Sequence, residues 1–148
     1  MSKVKLNLIA AACENMGIGF NGTLPWRLKK EMAYFTEMTT KVKDPAKKNA
    51  VIMGRKTWDS IPNKYRPMSD RANIVLTSQV NALKENAAID HPNCDKIYLT
   101  EIKKSFNCDT FFPNIDKQKF QLIEEEGVPT EKQTEGDISY YFRIYKHI

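Results

Sequence analysis

Four short stretches of this chain hold residue types that can do chemistry. Glu31 lies three residues after Leu28 and four before Phe35, at the edge of an apolar stripe formed by Leu28, Met32 and Phe35. A carboxylate there has two readings. It is either a solvated helical glutamate, or a buried acid that meets a ligand carrying two donors or holds a raised pKa suited to proton delivery. Lys29 and Lys30 lie elsewhere on the helical wheel, so spacing alone leaves both open. Gly54-Arg55-Lys56-Thr57 joins two cations, a hydroxyl and helix-terminal amides into a set able to cradle phosphate, without the longer P-loop pattern. Arg71 offers a bidentate fork for a carboxylate, or is a simple surface cation. Gly17-x-Gly19-x-x-Gly22 superficially follows a dinucleotide-binding turn, but Pro25 and Trp26 intervene before the helix. The lysine-rich stretch after that helix offers only Asp44 as a ribose-binding acid. A flexible loop covering a pocket is the better reading.

Positioning these groups requires an α/β frame. Residues 4–13 form a short apolar run that stops at Glu14-Asn15-Met16-Gly17, the pattern of a buried strand. The apolar spacing predicts a helix over residues 28–39, and the Pro45-containing stretch 40–48 reads as a solvated loop. Residues 49–53 read as a strand ending at Gly54, and residues 55–60 as a second helix closed by Ile61-Pro62. Strands follow at 72–77 and 95–102, with a short helix expected near 81–88. Ile138, Tyr140, Phe142 and Ile144 alternate with Ser139, Tyr141 and Arg143, the period of a half-exposed strand. Residues 120–123 can pair with it as an antiparallel ribbon, across a surface loop at 124–137.

The rest of the composition bounds the class. A chain of 148 residues with 41% apolar and 28% charged residues builds one soluble globular domain. Its longest apolar stretch, residues 8–13, is too short to span a membrane, and no secretory signal pattern is visible, so a cytoplasmic protein is expected. Cys13, Cys94 and Cys108 are odd in number and lack the paired spacing of a zinc site, so reduced thiols and no metal are expected. A net charge of +5 suits anionic partners, but the basic residues are dispersed rather than gathered with aromatics on one platform, which disfavours nucleic acid.

Taken together the motifs are far more specific than any one of them. Leu8-Ile9-Ala10-Ala11, Asn15-Met16-Gly17-Ile18-Gly19, Asn21-Gly22-x-Leu24-Pro25-Trp26, Glu31 with Tyr34-Phe35, the run Val51 to Trp58, Ser60-Ile61-Pro62, and Arg66-Pro67 with Arg71 occur in this order. His91-Pro92, Ile97-Tyr98-Leu99-Thr100, Asp109-Thr110-Phe111-Phe112-Pro113 and the terminal strand through Tyr145 continue the set. The chain resembles the dihydrofolate reductases. The resemblance implies a mixed, mostly parallel central sheet flanked by helices, with an antiparallel C-terminal strand. It also implies hydride transfer from NADPH to C6 of dihydrofolate, with a proton supplied to N5.

By the same resemblance Glu31 holds the pterin's amino and ring N–H groups, and Trp26 orders a neighbouring water. Ile9, Ala10, Ala11, Leu24, Met32, Phe35, Ile61 and Met68 shape the folate cavity, Thr100 supports the pterin end, and Arg71 grips the α-carboxylate of the glutamate tail. Ala11, Ile18, Gly22 and Thr23 lie on the nicotinamide side, where the 17–23 loop closes. Gly54, Arg55, Lys56, Thr57, Leu76, Thr77 and Ser78 line the phosphate and adenosine side. The implied protein is a cytoplasmic monomer that binds dihydrofolate and antifolates.

One stretch departs from the pattern. Between Ser78 and His91 the chain is shorter than the family by roughly 35 residues, which exceeds an ordinary loop deletion. The family has there a helix, a central strand ending in Gly-Gly and a further helix, whereas this chain has no glycine between Gly54 and Gly127. An internally shortened single domain over residues 1–148, lacking the central strand, is therefore expected. A second reading belongs to the binding class: a truncated, non-catalytic form that retains folate and antifolate binding without a complete NADPH site.

Overall fold

The structure is a computed structural model that describes residues 5–76, 89 and 92–148. The helix expected at 81–88, together with Thr77, Ser78 and His91, lies outside the described residues. The chain divides into two compact units, one made of residues 1–27 and 85–148, the other of residues 28–84.

The first unit is built on a sheet whose longest strand is β9 (Ile138–His147). Its alternating apolar residues do what the period of two requires, since Tyr140, Phe142 and Ile144 are all buried. One edge of β9 pairs antiparallel with β5 (Cys94–Ile102). Its other edge is shared, by β7 (Phe120–Ile123) near the C-terminus and by β8 (Gln133–Glu135) near its start. Thus the 124–137 connection, expected as a loop, contributes a strand: Gln133, Thr134 and Glu135 pair with Tyr140, Ser139 and Ile138 across the turn at Gly136. β1 (Leu6–Ala12) lies parallel to β5, with Ala11 opposite Thr100. One face of this sheet carries the cluster of Ala12, Cys94, Ile97, Leu99, Phe112, Phe120 and Tyr145 with Ile89.

The expected loop after β1 also contains a short strand. β2 (Gly17–Gly19) pairs antiparallel with β6 (Thr110–Phe111). Met16 stands at φ 64° and Gly17 O accepts from Cys13 N at 3.0 Å, which reverses the chain tightly at the end of β1. A Cβ on Gly17 would lie 2.3 Å from Cys108 Sγ and 2.5 Å from its Cβ, so only glycine fits against that neighbour.

In the second unit α1 (Lys29–Thr40) is followed by β3 (Asn49–Gly54), α2 (Arg55–Ser60) and β4 (Arg71–Leu76). β3 and β4 run parallel with Gly54 beside Leu76 and Ile52 beside Ile74. Ile52 and Ile74 are both exposed, so one face of this strand pair is apolar and uncovered by the described residues. The phase of α1 differs from the sequence expectation. Leu28 is buried, but Met32 is 47% exposed, and the inward positions are Glu31, Tyr34 and Thr39. The i, i+3 pattern that faces inward begins at Leu28 and runs through Glu31 and Tyr34, a phase that a count of aliphatic residues alone does not reveal.

No helix among the described residues is long and apolar enough to cross a membrane. Packing of the sheet sets a clear contrast in stability. Ile97 is 0% exposed, so Ile97→Ala is expected to cost about 2–5 kcal/mol in denaturant unfolding. Leu122 is 52% exposed, and Leu122→Ala should change stability by less than about 1 kcal/mol.

Candidate active site

In the second unit, Glu31 sits in the first turn of α1 and is only 7% exposed. Of the two readings left open by spacing, the structure selects the buried acid. Tyr34, on the same face one turn on, is also buried. Phe35 is half-buried on that face, while Met32 projects outward.

The other end of the same helix carries the opposite charge. Arg71, the first residue of β4, donates from Nη1 to Thr39 Oγ1 at 2.8 Å and from Nε to Ser69 O at 2.8 Å. The Thr39 hydroxyl in turn donates to Phe35 O at 2.7 Å. Desolvation lowers the Arg71 pKa from its ordinary value, with Asp70 acting in the opposite sense, and a guanidinium so placed still remains a cation at physiological pH. Eight residues separate Glu31 from Thr39, about 12 Å along the helix axis at 1.5 Å per residue. Thr39 was missed in the sequence, since a threonine late in a helix reads as an ordinary surface residue.

Met68 and Ile61 are both half-buried. Met68 is held by Asn73, whose Oδ1 accepts from Met68 N at 2.9 Å while its Nδ2 donates to Met68 O at 3.0 Å. Gly54, Arg55, Lys56 and Thr57 form an exposed run at the start of α2, and nothing lies within 4 Å of a Cβ built on Gly54. Arg55 Nε is 3.9 Å from Asp59 Oδ2, a loose surface pair. Gly54 and Leu76 both lie at the carboxyl ends of parallel strands, the place where ligands enter open α/β sheets.

The first unit places its own expected residues. Trp26 is 6% exposed, packs edge-on against Phe106 at 5.4 Å, and its buried Nε1 has no hydrogen-bond partner among the described residues. Thr100 is 1% exposed in β5. Strand alternation puts Ile9 and Ala11 on the sheet face that Thr100 occupies. Ala10 points to the opposite face and packs against the core cluster. Leu24 is 47% exposed. Ile18 is half-buried, whereas Gly22, at φ 77°, and Thr23 lie on the exposed turn. This turn is tied down by Asp109, whose Oδ2 accepts from Asn21 N at 2.9 Å, and by Asp109 N donating to Gly19 O at 3.0 Å.

Among the described residues no group of three or more His, Cys, Asp or Glu could hold a metal ion. A depression of about 360 Å³ lined by residues 41–44 and 47–49 contains none of the expected site residues.

Comparison with known proteins places the chain in a family. The family model described as dihydrofolate reductase matches residues 5–92 and 88–147. The dihydrofolate reductase of Heliothis virescens is 60% identical over 185 positions, spanning 100% of both chains. That of Aedes albopictus is 40% identical over 183 positions, spanning 97% of this chain and 98% of its own. Among solved structures, Schistosoma mansoni dihydrofolate reductase aligns with a TM-score of 0.83 and 31% identity, over 99% of this chain and 100% of that one. Motif order, mixed-sheet α/β fold and similarity along the whole length therefore converge, and the chain belongs to the dihydrofolate reductase family.

Proposed function

We propose that this protein is an oxidoreductase that reduces 7,8-dihydrofolate to 5,6,7,8-tetrahydrofolate, with NADPH as reductant. The observation that carries the reading is the polarity of α1: a buried carboxylate at one end and a bonded guanidinium at the other. That pair suits an elongated ligand with a donor-rich head and an anionic tail. Glu31 accepts from the pterin's amino and ring N–H groups, and its negative charge favours protonation of the ring, which prepares N5 to receive its proton. Phe35, Ile61, Met68 and the outward-facing Met32 give the apolar middle of the ligand its contacts in this unit. Arg71, already oriented by Thr39 and Ser69, meets the tail carboxylate with its fork.

In the first unit, Trp26 Nε1, which has no partner among the described residues, suits a bound water that satisfies a buried donor otherwise costly to bury. Ile9, Ala11 and Thr100 share one sheet face and support the pterin end, and residues 17–23 exclude water from the nicotinamide side.

The residues present fit a dinucleotide phosphate. Gly54, Arg55, Lys56 and Thr57 combine two cations, a hydroxyl and open space where a side chain would stand, at the carboxyl ends of β3 and β4. NADPH bound there supplies the hydride delivered to C6.

We further propose that the chain is an internally shortened, monomeric and cytoplasmic member of the family, without the central strand. In support, 185 aligned positions accommodate 148 residues, a difference of 37, and the two family matches meet at residues 88–92. β1 pairs only with β5, and β3 only with β4, among the described residues.

Dihydrofolate-dependent oxidation of NADPH by the purified chain tests the activity, and no turnover above the reagent blank would overturn it. Methotrexate binding without any NADPH response would favour the binding-only form. Glu31→Gln is expected to lower kcat by about 100-fold or more, as the loss of a positioned acid does. Arg71→Leu should raise KM for dihydrofolate about 10-fold to 100-fold with kcat little changed, the cost of a charge-assisted bidentate contact. Trp26→Phe removes a donor with no partner among the described residues but also shrinks a buried ring packed on Phe106, so unfolding stability should fall by about 1–3 kcal/mol while turnover falls further than that loss accounts for.

A further inference from the structure

Cys13 and Cys108 are 95 residues apart in sequence, yet their Sγ atoms are separated by only 3.9 Å. Both belong to the first unit. Cys13, at the exit of β1, is 3% exposed, and Cys108 is half-buried in the segment that leads into β6. Their approach is built by neighbours. Cys13 Sγ donates to Asn15 Oδ1 at 2.6 Å, and the same oxygen accepts from Gly17 N at 3.3 Å. Asn15 Nδ2 reaches Phe106 O at 3.4 Å, bridging the two segments. Gly17 leaves the space that the Cys108 side chain fills. The two sulfurs are thus in van der Waals contact, and side-chain rotation has to bring them to the bonded distance of about 2.05 Å.

We propose that Cys13 and Cys108 are a dithiol–disulfide couple whose closure clamps residues 13–23 to the segment 106–112. The oxidant is a low-molecular-weight disulfide such as glutathione disulfide. Cys108, the more accessible thiol, attacks one glutathione sulfur as its thiolate. The glutathione S–S bond breaks, one glutathione thiol leaves, and a mixed disulfide forms on Cys108. Cys13 then attacks the Cys108 sulfur and expels the second glutathione. Two protein thiols are oxidised, one glutathione disulfide is reduced to two thiols, and the two cysteine protons end on those thiols. Desolvation, then Cys13 itself, pushes the Cys108 thiol up from its ordinary pKa, so little of it is thiolate near neutral pH and closure is slow unless the pH rises.

Before closure the two segments are held by the β2–β6 pairing, the Asn15–Phe106 bond and the contacts around Asp109. Phe112 N donates to Met16 O at 2.9 Å and Asp109 N to Gly19 O at 3.0 Å, while Asn21 N reaches Asp109 at 2.9 Å. A covalent tie at the base of this arrangement restricts opening of the whole turn. The restriction would slow turnover only if residues 17–23 work as described under the proposed function, whereas the bridge itself depends only on the thiol geometry.

The test treats the full chain with glutathione disulfide, alkylates remaining thiols, and maps cysteine peptides under non-reducing conditions by mass spectrometry. The expected product is a peptide pair joining Cys13 to Cys108, lighter by two hydrogens, with Cys94 alkylated and full reversal by dithiothreitol. Cys108→Ser should leave Cys13 alkylated. Hydrogen exchange of the amides at 17–23 should slow severalfold in the bridged form. Glutathione retained on Cys108 beside an alkylated Cys13, a bridge through Cys94, or three alkylated thiols would overturn the couple. Unchanged exchange in the bridged form would overturn the clamp.

Discussion

A carboxylate withdrawn from water must be met by donors, because leaving such a charge unsolvated costs more than an entire domain's margin of stability. Glu31 imposes that condition on α1. The phase of the helix, with Leu28, Glu31, Tyr34 and Thr39 turned inward, puts the acid and the Arg71-bonded threonine along one side of a single rigid rod. In the proposed function one element thereby receives both head and tail of the ligand, and the start of β4 is secured to the far end of that element. Loop positions could not hold two opposite charges at a fixed separation with the same economy of parts.

The first unit solves a different problem, the placement of small and polar side chains on a buried sheet face. β5 is flanked by β1 on one side and β9 on the other, so Thr100 sits in register between Ala11 and Phe142. The strand period then decides the faces: Ile9 and Ala11 turn to the side of Thr100, and Ala10 to the core cluster. Trp26 adds a buried donor, with its ring fixed by Phe106.

Much of this was legible in the residue order. The alternation at 138–144 gives β9, and Gly54-Arg55 marks the junction of β3 and α2 within a residue of where they meet. Glu31 could be singled out but not assigned an environment, because a helical wheel built on aliphatic residues missed that Tyr34 and Thr39 share the inward side. β8 was hidden since Gln133, Thr134 and Glu135 carry no apolar alternation, and its formation rests on pairing with β9. The approach of Cys13 to Cys108 depends on the β2–β6 pairing of two very short segments, a long-range contact that no local pattern encodes. Family resemblance, in contrast, rested on motif order and needed none of these contacts.

The β3–β4 pair carries a further implication. Among the described residues this sheet has two strands, fewer than independent stability ordinarily needs, and no described residue covers Ile52 and Ile74 on one side. A cover laid over Ile52 and Ile74 takes that stripe out of water and steadies the pair, so the burial of these two side chains and the firmness of the β3–β4 junction rise or fall together.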